Sequence, residues 1–250
     1  MPAQLVVNFD EAGVNIVPVS NWTMVKCGAK QVPITGKEDK RQVTLVLADN
    51  LAGEMLAPQV IYQGKTDKSH ASFKFPSDWH VDHSANHWSN SETMQNYADN
   101  VLIPYIEDVR DALDLPLRQP AVAVLDVFAA HRTDEFLKKL RDNAIIPIYV
   151  SAGCTGELQP LDVSTNLPFK NKLKESFQEY YSGKVTAAIN DGIPPADVKI
   201  DMRLSTLWPI HARWMLSAFD YLKANRNIIL DGWRKSGIQG AINTARQAKE

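Results

Sequence analysis

Residues 121–128 read AVAVLDVF, a nearly unbroken apolar run with one acid, Asp126, near its end. A half-exposed strand alternates apolar and polar residues, so a run without alternation fits a central strand covered on both faces. Helices above and below such a strand make the chain α/β. The flanks agree. Thr133 can cap a helix in which Phe136, Leu137 and Leu140 form the inner stripe and Lys138, Lys139 and Arg141 the outer face. Residues 144–150 then read as a further strand, interrupted by Pro147.

Working back toward the N-terminus, QLVVNFD (residues 4–10) is a β-rich run ending on Asp10 and Glu11, with Ala12-Gly13 as a turn. Residues 14–19 would be the return strand of a hairpin, held to an edge by Pro18. QVTLVLA (residues 42–48) is the clearest third strand, and residues 55–62 are a candidate fourth. Residues 65–90 are polar and aromatic without a sustained period and read as a long loop over the sheet. Ser89 and Glu92 have capping-box spacing before a helix with Met94, Tyr97, Ala98 and Val101 on one face, which Pro104 should kink or split.

Toward the C-terminus, SAGCTGELQPLDVSTNLPFKNKLK (residues 151–174) passes from turn-rich sequence into a helix in which Phe169, Leu173 and Phe177 recur every four residues. Pro194-Pro195 marks a boundary before a helical tail over residues 207–224 and 228–242. The expected organisation is a domain over residues 1–185 and a helical C-terminal extension over 186–250.

Composition narrows the function classes. A chain of 250 residues with 44% hydrophobic and 22% charged residues is ordinary globular material. Its net charge of −2 supplies no general basic field, so any nucleic-acid contact must come from local patches. Cys27 and Cys154 are far apart and form no CxxC pair, which argues against a disulfide framework and for a reducing compartment. The N-terminus has no signal-peptide pattern, and no window approaches the ~18 apolar residues of a membrane span. The expectation is a soluble intracellular protein without a membrane partner.

Asp10, Asp126 and Asp162 share a setting at or just beyond predicted strand ends. Three clustered carboxylates repel one another unless a cation offsets their charge. Mg²⁺ suits such a set because it prefers oxygen ligands and keeps positions for water and phosphate. Two such ions can serve both sides of a phosphodiester. Position alone is weak evidence, since an Asp at a strand end is often only a turn former or a cap.

The local words are more specific. Asn8-Phe9-Asp10-Glu11-Ala12-Gly13, then Leu125-Asp126-Val127-Phe128-Ala129-Ala130-His131-Arg132-Thr133, then Gly153-Cys154-Thr155 with Leu158-Gln159-Pro160-Leu161-Asp162-Val163 and Pro168-Phe169-Lys170 resemble the three blocks of a DDE superfamily endonuclease. The branch is that of the pogo, Tigger and jerky transposases and their host-adopted relatives similar to centromere protein B. Residues 86–90 (NHWSN) and 232–238 (GWRKSGI) also look familial, so the resemblance spans nearly the whole chain.

The resemblance implies an RNase H-like mixed five-stranded sheet flanked by helices, with Asp10 on the first strand, Asp126 on the fourth and Asp162 near the start of a later helix. It implies a nuclear, transposase-type DNA endonuclease and strand transferase in which Asp10, Asp126 and Asp162 are both catalytic residues and ligands to Mg²⁺, with Mn²⁺ as a substitute. DNA is the implied partner, a homodimer is compatible, and no small-molecule cofactor is expected. The alternative is a host-adopted, chromatin- or DNA-associated interaction protein without catalysis. Two departures stand out. The chain starts on the first catalytic strand, where family members carry helix-turn-helix modules ahead of it, and Ser151 stands where a proline often begins the third block.

Other residues are weighed beside these. Glu11 and His131 are candidates to support the ligands from behind. Lys170, Lys172 and Lys174, with Lys37, Lys40 and Arg41, are candidates for the DNA backbone, although charges on a helix face are more often solvated surface. His80, His83 and His87, with Asp78 and Asp82, have spacing that could suit a metal, but lack a cysteine pair or a recognisable fourth ligand. Trp208, Trp214 and Trp233 read as core of the helical tail.

Overall fold

The computed structural model describes residues 1–18 and 39–248; Lys37, Cys27 and the end of the expected strand at 14–19 lie outside them. Six strands form one mixed sheet: β1 (Val6–Asn15), β2 (Gln42–Asn50), β3 (Gln59–Gln63), β4 (His80–Ser84), β5 (Ala121–Leu125) and β6 (Ile145–Tyr149), in the order β4-β3-β2-β1-β5-β6. β1 pairs antiparallel with β2 and parallel with β5, and β3 pairs parallel with β4.

The RNase H-like class stands, but the sheet has six strands rather than five. The extra one is β4, inside the stretch read as a loop. HVDHS lacks apolar alternation, and its strand character comes from five register pairs with β3 at the sheet edge. The return strand expected at residues 14–19 is also corrected. β1 runs on through Ala12 and Gly13 to Asn15, and its hairpin-like partner is β2, in register from Val7↔Asn50 to Asn15↔Gln42. Asp126 accordingly follows the fifth strand in chain order. β6 is the opposite edge, where Pro147 costs no inner ladder bond.

Helices cover both faces. On one side lie α1 (Ser91–Tyr97), a π turn (Ala98–Leu102), α2 (Ile103–Ala112) and α3 (Asp134–Asp142). Met94, Tyr97, Phe136 and Leu140 pack there on Val7, Phe9, Ala48 and Leu125. The α1 capping box is built one residue later than expected, with Asn90 and Thr93 as the reciprocal pair. The helix is interrupted by the π turn just before Pro104, whose missing N–H is tolerated in the first turn of α2. Thr133 caps α3 as expected, accepting from Phe136 N–H.

On the other side, a short helix α4 (Thr155–Leu158) and a π turn (Leu161–Thr165) lead into α5 (Asn166–Asn190), followed by α6 (Leu204–Ala224), α7 (Arg226–Lys235) and α8 (Ile238–Gln247). The predicted stripe Phe169, Leu173 and Phe177 is buried against Leu45, Leu47, Met215 and Phe219; burial of each side chain contributes about 1.5–3 kcal/mol. Residue 185 lies within α5. Trp214 and Trp233 are core residues, and Trp208 packs against the core half-buried.

Candidate active site

The parallel ladder between β1 and β5 covers only Val6↔Val122, Val7↔Ala123 and Asn8↔Val124. Beyond Asn8 the two strands diverge, and β1 continues with β2 alone. Asp10 is therefore mid-strand by its own backbone, yet it stands where the neighbouring strand ends. This reconciles the expected strand-end setting with a ten-residue β1. Strand alternation sends Asp10 and Glu11 to opposite faces, but the fork is open, so both line one cleft of about 370 Å³ with Asp126, Phe128, Thr44 and Trp88.

Asp162 is brought to the cleft by buried polar pins. Asn8 Nδ2 donates to Val124 O at 2.9 Å, and Asn8 Oδ1 accepts from Leu161 N at 3.0 Å, tying the Asp162 segment to the fork. Gln159 Nε2 donates to Phe9 O at 3.4 Å. Behind the π turn, the buried carboxylate of Asp49 accepts from Trp233 Nε1 at 3.0 Å and Thr165 Oγ1 at 3.4 Å. Burial pushes Asp49 well above the usual carboxylate range, against the pull of these two donors. Such networks hold geometry when their members are satisfied.

One amide joins two of the acids. Asn166 Nδ2 lies 2.9 Å from Asp10 Oδ2 and 2.9 Å from Asp162 Oδ1. Its Oδ1 is buried without a hydrogen-bond partner. The third acid is braced differently. His131, fully buried, reaches Asp126 Oδ1 through Nδ1 at 2.8 Å and Glu11 Oε1 through Nε2 at 3.2 Å. Phe128 N–H also donates to Asp126 Oδ1.

The electrostatics follow this geometry. Asp10 is pushed up to about 8, first by burial and then by the charges of Asp162, Glu11 and Asp126, against the Asn166 hydrogen bond. Burial opposes charge on His131, but Glu11 and Asp126 outweigh it and push the ring up to about 10. The imidazolium donates from both nitrogens and acts as a brace. For Asp126, burial would raise the carboxyl, yet the hydrogen bonds from His131 and Phe128 bring it below its ordinary value.

Among the described residues, Glu11, Asp126 and His131 form a group whose donor atoms lie within 4.8 Å of one another; Asp10, Asp126 and Asp162 together do not. The carboxylates instead form two linked pairs, Asp10 with Asp162 through Asn166, and Asp126 with Glu11 through His131. A buried carboxyl pushed up in part by the acids it faces, beside an orphaned amide oxygen, fits divalent cations of the Mg²⁺ type.

The candidate lysines divide. Lys172 pairs with Glu175 at 2.8 Å and lies over the Tyr221 ring, so it is engaged between α5 and α6. Lys170 and Lys174 follow Asn166 at intervals of four residues on α5, which puts them along the face that leads away from the site. The histidines considered as a metal set do not converge: His87 contacts Thr44 Oγ1 at 3.3 Å, whereas His83 faces His70.

Asn8, Asp49, Gln159 and Asn166 were not singled out from the sequence. Asn166 had a signal, because four residues after Asp162 it shares the same helical face. Asp49 had a weaker one, an acid closing an otherwise apolar strand.

The mixed sheet, with acids gathered at its fork, defines an RNase H-like domain. The chain belongs to the DDE superfamily endonuclease family, which matches residues 40–231; Asp126 and Asp162 lie within that span, and Asp10 precedes it. Among curated proteins it is similar to the human "Pogo transposable element with ZNF domain", 26% identical over 180 residues, covering 72% of this chain and 12% of that protein. It is also similar to the mouse "Pogo transposable element with KRAB domain", 23% identical over 236 residues, covering 94% of this chain and 35% of that protein. The chain thus spans a minor part of each relative's length. In fold it resembles a chain of a pre-cleavage Mos1 transpososome, with TM-score 0.51 and 12% identity, over 90% of this chain and 56% of that one.

Proposed function

We propose that this domain cleaves and joins DNA strands with divalent cations held by Asp10, Asp126 and Asp162, acting in the nucleus on duplex substrate. The observation that carries the reading is the gathering of acids at the fork, where buried Asp10 is joined to Asp162 through Asn166 and lines one cleft with Asp126, which His131 braces. Membership of the DDE superfamily endonuclease family, and relatives named as pogo transposable elements, support it.

Asp10 and Asp162, linked through Asn166, and Asp126, braced by His131, would hold the cations. Bound there, Mg²⁺ or Mn²⁺ supplies Lewis-acid stabilisation of charge on the phosphodiester oxygens and activation of water. The chain's own residues do the positioning. Asn166 keeps the Asp10 and Asp162 carboxylates facing one another, and His131 fixes the Asp126 rotamer through a charge-assisted bond. Lys170 and Lys174 would meet backbone phosphates leaving the cleft. Trp88, 62% exposed on the cleft wall, offers a face on which a base can stack. Its loop is braced by Ser84 Oγ donating to Trp88 O at 2.8 Å, and His87 there adopts a left-handed φ of 59°.

The test is nicking of supercoiled plasmid in Mg²⁺ or Mn²⁺. Cleavage should require the metal and vanish in Asp162→Ala, while Trp88→Ala should weaken DNA binding by about 1–3 kcal/mol without abolishing metal binding. Equal nicking by Asp162→Ala would remove the catalytic assignment. DNA association without any metal-dependent nicking would favour a host-adopted, non-catalytic interaction protein.

A further inference from the structure

A second set of metal-type donors gathers beside β4, three strands across the sheet from β1. Asp67 opens a 3₁₀ turn (Asp67–Ser69) that His70 closes. His83 stands on β4 in register with Tyr62, whose ring lies 5.8 Å from that of His70. His70 Nε2 and His83 Nδ1 are 3.2 Å apart, and Asp67 Oδ1 lies 3.6 Å from His83 Nδ1 and 3.9 Å from His70 Nε2. Three donors from two separate pieces of chain thus form one small triangle.

A hydrogen bond between the two imidazoles accounts for the shortest side only. Asp67 is beyond hydrogen-bonding distance of both rings and is still the third corner. Ligands about 2.0–2.2 Å from a tetrahedral zinc ion stand roughly 3.3–3.6 Å from one another. The observed sides bracket that separation.

We propose that Asp67, His70 and His83 bind a first-row transition-metal ion of the Zn²⁺ class, at a site separate from the carboxylate cleft. Two imidazoles and a carboxylate select such an ion over Mg²⁺, which prefers all-oxygen sets. Three protein ligands leave a fourth position for water. The scaffold around the site is ordered by independent contacts: His83 N–H donates to Asp82 Oδ1 at 2.8 Å, and the β3–β4 ladder fixes the strand. An ion there ties the segment after β3 to the strand that runs on into the His87-Trp88 loop at the cleft wall. The site is therefore a clamp, independent of DNA cleavage.

The experiment is calorimetric titration of the chain with Zn²⁺ in an Asp10→Asn/Asp126→Asn background, which removes one carboxylate from each of the two linked pairs in the cleft, with millimolar Mg²⁺ present. One ion should bind at micromolar or tighter affinity, and Co²⁺ in its place should give the visible absorption of a tetrahedral centre. His70→Ala or His83→Ala should each weaken binding by more than the ~10–100-fold typical of residues that only support a ligand. Asp67 is 89% exposed, so Asp67→Ala leaves the fold untouched and should still lower affinity about tenfold or more. Absence of saturable Zn²⁺ binding, or binding that survives His70→Ala and His83→Ala, or an Asp67→Ala variant with unchanged affinity, would overturn the proposal.

Discussion

Asn166 and Asp162 stand one helical turn apart, and that relation lets a single side-chain amide serve two carboxylates. Read along the sequence, Asp162 is an acid before a helix, a common and uninformative setting. Its meaning comes from Asp10, which belongs to another block, and from the amide that holds the two together. The acids were legible as blocks, and His131 as a candidate support for them; Asn166 showed only its spacing from Asp162, and Asn8 and Gln159 showed nothing, because they act between elements through polar atoms that carry no periodicity.

A second residue gives a prediction free of the cleft. His211 is buried on α6, its Nε2 donating to Asn15 O at 3.1 Å while Nδ1 has no partner. Protonation would bury a charge and an unmatched donor, so burial lowers its pKa from 6.5 to about 4. Between those values the unfolded chain takes up a proton that the folded chain refuses. Stability from this group is present above the unfolded value and is lost as pH falls toward the folded one, by at most about 1.4 kcal/mol per pH unit. His211→Gln keeps a donor toward Asn15 and has nothing to titrate. Urea unfolding at pH 4.5 and 7 should show a larger acid loss in the parent than in the variant; equal losses would contradict the assignment.

At the scale of elements, the segment carrying Asp162 is clasped between the β1–β5 fork and α7. A Cβ added at Gly232 would meet Pro160 O at 2.5 Å and Pro160 C at 3.1 Å, both backbone atoms that cannot rotate away. Gly232→Ala should therefore force α7 off the segment, destabilise the fold by about 1–3 kcal/mol in denaturant titration, and loosen divalent-cation binding at Asp162. An unchanged midpoint would mean that α7 does not clasp the segment. The elements themselves were unevenly legible. The apolar run of β5 and the four-residue stripe of α5 announce burial directly. β4 has no such pattern, since it is an edge strand defined by pairing with β3. The continuation of β1 through Ala12-Gly13 is likewise a consequence of its long register with β2, where local turn chemistry suggested a break.

For the whole molecule, the mixed sheet turns sequence distance into a short spatial one: the parallel neighbours β1 and β5 bring together acids more than a hundred residues apart. The ladder ends at Asn8, and the cleft opens where it ends. The α/β class followed from covered strands, while the site depends on where two strands part, which no local window records. The central claim is that these carboxylates form a divalent-cation site. It is tested most directly by titrating the chain with Mn²⁺ near pH 7.5, followed by electron paramagnetic resonance, beside Asp10→Asn, Asp126→Asn and Asp162→Asn. Saturable binding that falls in all three variants is the expected result; Mn²⁺ binding that is the same in the parent and in every variant would contradict it.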